Sequence, residues 1–337
     1  MNEKEKKHKN YGIAILRIIL SFMVVVDHFY DLKKQKKFAH ILYYHIPTFF
    51  LMSFYYTNNT FITFNIPKIK LRFQRLVIPY IFWNIFSFIL NNIYFLLLKR
   101  LCYHTIYHFI ENLLNGHMFI IALWFQTILI FTTLIVVIII FSFKKEYLLI
   151  FQIMMIVSYR FQYSGENYHF CIKYLTIHNK FTYGRFIETF PNSLSGLFIG
   201  SSNIPNKFKL YKLRTIIFSI LGLILISKYN FDENLLGFKY GGIRNNIAAV
   251  LIFLVFFFSF NIVTNKKIQK LLNIITNYTA GIYFIHNLIG KSYFLESLLG
   301  NKIHSTFGCL IIYFISYMFC FFMDKIIGNT KLKHLIK

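Results

Sequence analysis

Apolar runs alternate with short polar or basic breaks along the whole chain. Ten runs stand out, near 11–30, 41–58, 76–98, 118–142, 147–162, 186–202, 214–230, 244–264, 275–290 and 304–327. Most approach the ~20 residues that an α-helix needs to cross hydrocarbon. They predict an all-α polytopic membrane protein with about ten transmembrane helices in one bundle. The runs at 41–58, 147–162, 186–202 and 275–290 are the shortest or most polar, and partner helices in a bundle can cover such spans. On this reading 1–10 is a basic cytoplasmic N-terminus, 11–327 a single transmembrane domain and 328–337 a basic cytoplasmic tail. The longer breaks near 99–117, 163–185, 231–243 and 291–303 are too short for a separate domain, and no internal repeat is detectable.

Composition strengthens the membrane reading. Of 337 residues 56% are hydrophobic and 42 are Phe, against the roughly 45–50% apolar content of soluble domains. The formal charge is +25, from 37 Lys and Arg against 12 Asp and Glu. These cations fall mostly between apolar runs, where they suit anionic headgroups rather than nucleic acid. With the N-terminus inside, the inner segments hold Lys4 to Lys9, Lys68 to Arg75, Lys144 and Lys145, Lys207 to Arg214, Lys266 to Lys270 and Lys325 to Lys337. That bias orients both termini to the cytoplasm. The run Lys33 to Lys37 opposes it. Cys102, Cys171, Cys309 and Cys320 show no metal-binding spacing, and the last two suit helix packing. No small-residue cleavage site follows the first run, so it is expected to be retained as a helix.

Some residues do not fit a plain lipid-facing helix. The first run, "ILRIILSFMVVVDHFYD", carries Arg17, Asp27 and His28. Arg17 and His28 are eleven residues apart, about three helical turns, so they share a face with ~16 Å between them. Charge inside a span usually faces a bundle interior or wet cavity, although an arginine can also snorkel to the surface. Asp27 lies ~100° round the helix from His28 and is placed to meet another helix. His45 and Pro47 open the second run in "HIPTFF", and His45 alone also reads as an interfacial residue. Arg72 and Arg75 are at i,i+3 in the basic loop "KIKLRFQRLVIPY". On a helix they form one cationic face, and guanidinium forks suit phosphate. Trp124 in "LWF" reads equally as a belt residue. Tyr283 and His286 lie in "GIYFIH", and small residues in "FPNSLSGLFIG" suit close helix approach.

Taken in order, Arg-x10-His, "HIPTFF", Arg-x-x-Arg, "LWF" and "GIYFIH" resemble the acyltransferase type 3 family, over roughly 11–325. These are bacterial multi-pass inner-membrane proteins that O-acylate surface glycans such as capsule or exopolysaccharide. The resemblance implies transfer of an acyl group, most simply acetyl, from cytoplasmic acyl-CoA to a hydroxyl of a surface or lipid-linked polysaccharide. Acyl-CoA (acetyl-CoA) is then a co-substrate, and no tightly bound cofactor or metal is expected. The other implied partners are the bilayer and the glycan acceptor, with a homodimer as a further assembly to test and no nucleic acid. The resemblance assigns Arg17 and His28 to catalysis and Arg72 and Arg75 to CoA phosphates. Asp27, His45, Ser53, Trp124, Tyr283 and His286 become candidates for the substrate tunnel. The chain departs from the pattern twice: Phe54 follows Ser53 where glycine is usual, and Ala122 stands where a histidine is usual.

On this expectation His28 is the general base toward a sugar hydroxyl, since imidazole titrates near neutrality. Arg17, ~16 Å away, contacts the donor instead. The alternative is a glycan exporter of the same fold with no transferase activity, in which Arg17 and His28 line a polar path.

Overall fold

The computed structural model describes residues 10–30, 44–97, 106–115, 123–143, 146–163, 182–202, 211–228, 243–259 and 265–327. Among them the regular structure is helical throughout. The helices are α1 (Tyr11–Phe29), α2 (His45–Ile62), α3 (Ile66–Leu97), α4 (Ile106–Asn115), α5 (Trp124–Ser142), α6 (Tyr147–Tyr163) and α7 (Thr182–Ser201). They continue with α8 (Lys212–Lys228), α9 (Ile243–Ser259), α10 (Lys266–Asn277), α11 (Thr279–Gly290), α12 (Tyr293–Leu299) and α13 (Thr306–Ile327). Each of the ten apolar runs contains one of these helices. Four are long and apolar enough to cross a membrane: α1, α3 over Ile66–Leu90, α5, and α13 over Thr306–Ile326. The N-terminal segment 1–9, the tail 328–337, the contrary lysines 33–37, Cys102, Cys171 and Ala122 lie outside the described residues.

Four differences from the sequence reading have local causes. The basic loop at 68–75 is helical and forms the first turns of α3. The Asn65 side chain accepts from the Lys68 amide at 3.1 Å, which caps the helix ahead of the basic residues. The run 275–290 breaks at Tyr278, so α11 begins at Thr279. The segment before it, read as an inner loop, is the amphipathic helix α10, whose N-cap Asn265 accepts from the amides of Lys267 and Ile268. Two of the outer breaks hold the short helices α4 and α12.

The bundle carries apolar side chains on its outer surface as well as in its core. Ile78, Ile81, Ile85, Ile89 and Ile93 form an exposed apolar stripe along α3, and α8 and α13 carry similar surfaces. In water so large an apolar area would demand a partner. Against acyl chains it needs none, and the surface is compatible with a bilayer. The closest helix approaches use glycine. A Cβ on Gly196 of α7 would lie 2.2 Å from the Leu51 carbonyl of α2, and one on Gly12 of α1 would lie 1.8 Å from the Phe256 carbonyl of α9. Backbone therefore meets backbone at both crossings, as small residues allow within membranes. Around the α2–α7 pair, Phe50, Phe54, Ile128 and Leu194 form one core. Leu16, Leu20, Ala249 and Phe253 bind α1 to α9. Val25, Ile282, Cys309 and Ile312 bind α1 to α11 and α13. Cys309 and Cys320 are buried free thiols, as their apolar run suggests.

Candidate functional site

A cavity of about 990 Å³ opens among α1, α2, α3, α5 and α11. Its volume is that of a small-molecule or cofactor pocket. The ends of several helices meet around it: Asn10 caps α1, Asn58 is near the end of α2, Gly200 near the end of α7, Phe257 near the end of α9, and Thr279 starts α11. Among the described residues its charged lining is Arg17, Arg72 and Arg75, with no carboxylate. Three cations and no counter-charge in a partly enclosed space favour an anionic ligand.

Each arginine is placed by the helices around it. Arg17, half-buried on α1, donates from Nη2 to Thr279 Oγ1 at 3.0 Å. The Thr279 hydroxyl in turn donates to the Thr276 carbonyl at 3.0 Å. Arg72 donates from Nε to Thr133 Oγ1 at 3.2 Å and from Nη2 to Ser53 Oγ at 3.1 Å. Its Cζ stands 4.9 Å from the Phe54 ring centroid and 5.4 Å from that of Phe61. Two hydroxyls and two aromatic faces fix that guanidinium on a wall of the cavity. Such contacts stabilise a cation without neutralising it. Arg75, one turn further along α3, is exposed at the same opening.

Pro79 shapes the wall beyond Arg75. Proline lacks an amide hydrogen and pushes against the carbonyl four residues earlier, so the helix loosens there. Three residues before Pro79, the Leu76 carbonyl accepts from Gln126 Nε2 of α5 at 2.7 Å. A side-chain donor to a helix carbonyl suits a proline-interrupted helix at membrane depth. It also fixes α5 against α3, beside the ring of Phe125, which stands 5.2 Å from Tyr283.

The far end of α1 is different. His28 is exposed and does not line the cavity. Its ring lies 5.0 Å from that of His286, which is 1% exposed. His286 Nδ1 is 3.1 Å from the Ile282 carbonyl. Only a protonated nitrogen bonds a carbonyl, so Nδ1 carries the hydrogen and Nε2 keeps its lone pair. That Nε2 is buried without a partner among the described residues. His304 Nδ1, 2.9 Å from the Phe29 carbonyl, closes the end of α1. A Cβ on Gly290 would lie 2.2 Å from the Phe29 ring, so glycine there admits the ring.

The two regions are joined by one helix face. On α11, Thr279, Tyr283 and His286 fall at i, i+4 and i+7, a single stripe. Thr279 meets Arg17, Tyr283 lines the cavity, and His286 meets His28. Tyr283 stands 6.1 Å from His286, so its ring touches both regions. The shared face expected of Arg17 and His28 is thus the face α1 presents to α11.

Among the expected site residues, Arg17, Ser53, Arg72, Arg75 and Tyr283 line the cavity, while His28, Asp27, His45, Trp124 and His286 do not. His45 is buried in the first turn of α2. Asp27 is half-buried beside His28. Trp124 lies at the start of α5 beneath the Arg185 guanidinium, 5.6 Å from its ring, and Arg185 pairs with Glu188 at 2.9 Å. Thr279 and Thr133 hold two of the arginines but carry no distinctive sequence signal. Thr279 is recognisable only as the residue one helical turn before Tyr283. Among the described residues no group of three His, Cys, Asp or Glu is placed to hold a metal ion. No family model, curated protein or solved structure matches the chain.

Proposed function

We propose that this protein is a membrane O-acyltransferase that takes an acyl group, most simply acetyl, from acyl-CoA and delivers it to a hydroxyl of a surface or lipid-linked polysaccharide. The observation that carries this reading is the cavity, whose charges are Arg17, Arg72 and Arg75 with no carboxylate among them. CoA is a polyanion on a long flexible arm. Its phosphates would sit at Arg72 and Arg75, and its thioester would pass Arg17 toward Tyr283. His28 lies ~16 Å further along α1, a reach that suits the pantetheine arm. There the His28 imidazole takes the proton of the acceptor hydroxyl, whose oxygen attacks the thioester carbonyl. The carbon–sulfur bond then breaks, the proton passes to the departing thiolate, and ester and CoA thiol remain.

The membrane topology proposed with it is ten spans with both termini on the cytoplasmic side of a bacterial inner membrane. What supports it is parity. Besides the first turn of α5, which lies inside the run 118–142 and lines the cavity at Phe125 and Gln126, the helix ends around the cavity are the start of α1, the end of α2, the start of α3, the ends of α7 and α9, and the start of α11. Ten alternating crossings put all of these helix ends on one side. The cations there follow the inner-side bias of membrane loops.

The test is transfer itself. Purified protein in vesicles, given labelled acetyl-CoA and a lipid-linked glycan, is expected to yield labelled O-esters that disappear in His28→Ala. Unchanged ester formation by His28→Ala would remove that residue from the chemistry. Glycan export without any use of acyl-CoA would remove the reading as a whole.

A further inference from the structure

Helix α10 takes no part in the chemistry above, and its surface is unusual for this protein. Its 12 residues, KKIQKLLNIITN, span ~18 Å at 1.5 Å per residue, too short to cross hydrocarbon. Lys266, Lys267 and Lys270 lie within about 100° of one another on its circumference, with no acidic residue on the helix. Ile274, one turn after Lys270, shares their sector, while Ile268 and Leu271 lie beside it. Ile274 packs into the core around Tyr80, Trp83 and Phe284. Ile268 and Leu271, on the first two turns, are 46% and 55% exposed. The exposed surface of the first two turns therefore joins two uncovered apolar side chains to three lysines.

Position decides what can cover it. Chain order sets α10 between the end of α9 and the start of α11, and Thr276 of its last turn lines the cavity. It also contacts α1, one of the four helices able to span a membrane. Such a helix lies where acyl chains give way to headgroups. Exposed Ile and Leu suit the acyl boundary, and flanking lysines suit anionic headgroups above it. We infer that α10 is an interfacial docking element for anionic phospholipid, which holds the cavity mouth at headgroup level. The inference rests on the membrane orientation proposed above but not on the identity of the cavity's ligand.

A tryptophan probe tests it. Leu271→Trp protein is placed in nanodiscs of phosphatidylcholine containing either brominated phosphatidylglycerol or brominated phosphatidylcholine, and the wild-type signal of Trp83 and Trp124 is subtracted. The added tryptophan is expected to be quenched at least about twofold more by the brominated anionic lipid, since each lysine near the surface contributes roughly fivefold to anionic-lipid association. The preference should vanish in the background Lys266→Gln, Lys267→Gln, Lys270→Gln, and should fade at about 1 M salt as the screening length shrinks. Equal quenching by the two lipids would overturn the anionic preference. Absence of quenching would overturn the docking, because α10 would then face water or another part of the chain. Because CoA is left out, failure here and failure of the acyl-CoA reading are separately visible. The lysines are exposed and make no core contact, so their replacement leaves the fold intact, which the elution profile checks.

Discussion

The two ends of the α1–α11 pair are built from opposite materials. At the start of α1, Arg17 joins Arg72 and Arg75 around a roomy cavity, and threonine and serine hydroxyls hold two of the guanidiniums without neutralising them. At the end of α1 two imidazoles meet, one exposed and one buried, with aromatic rings around them and Asp27 beside His28. Among the described residues, the first end offers three cations and lines its cavity with no imidazole or carboxylate. The second brings the imidazoles of His28 and His286 together. One region that did both jobs would hold its base beside arginines, which favour the uncharged ring. On the proposed reading, separation by three helical turns keeps the base away from the arginines that would hold a polyanion.

The comparison predicts that lesions at the two ends fail in different ways. The largest effect belongs to His28→Ala, expected to lower acyl transfer by 10²–10⁴-fold, the usual contribution of a general base. CoA binding should stay intact. Steady-state rates and a direct binding assay separate the two. Next, Arg72→Ala is expected to weaken CoA binding by about 10–100-fold, the value of a charge-assisted hydrogen bond. Arg72→Lys should restore little of it, since an ammonium cannot bond Ser53 and Thr133 as a planar fork does. A Lys variant that binds like wild type would show that charge alone matters there. Gly196→Ala, which touches neither end, should cost about 1–3 kcal/mol by forcing a methyl against the Leu51 carbonyl. A thermal-shift measurement in detergent checks it, and an unchanged midpoint would mean that α2 and α7 do not meet backbone to backbone. The smallest effect is Ser53→Ala, which removes one of two side-chain acceptors from Arg72. A loss of about three- to tenfold in CoA affinity is expected, with turnover at saturating donor unchanged.

Local patterns made much of this fold legible. Each of the ten apolar runs holds a helix, because length and hydropathy are properties of a short stretch. The eleven-residue spacing of Arg17 and His28 correctly put both on one face, because helical geometry is local too. What stayed hidden depends on distance in sequence or on mixed composition. Thr279 reaches Arg17 across 262 residues, and Thr133 reaches Arg72 across 61. No spacing rule announces such a pair. Helix α10 is too polar on average to stand out in a hydropathy profile, although its apolar positions repeat at helical intervals. The first turns of α3 were hidden by their lysines, which read as a break between spans yet are good helix formers. His45 and Trp124 fit their motifs in sequence, but side-chain burial and the neighbouring Arg185 place them away from the cavity.

The most direct measurement is calorimetric titration of CoA into detergent-solubilised wild-type, Arg72→Ala and His28→Ala proteins. The account predicts saturable binding to wild type, binding at least about tenfold weaker to Arg72→Ala, and wild-type affinity in His28→Ala. CoA affinity unaffected by Arg72→Ala, or lost in His28→Ala, would contradict the division between an anion-binding end and a proton-accepting end.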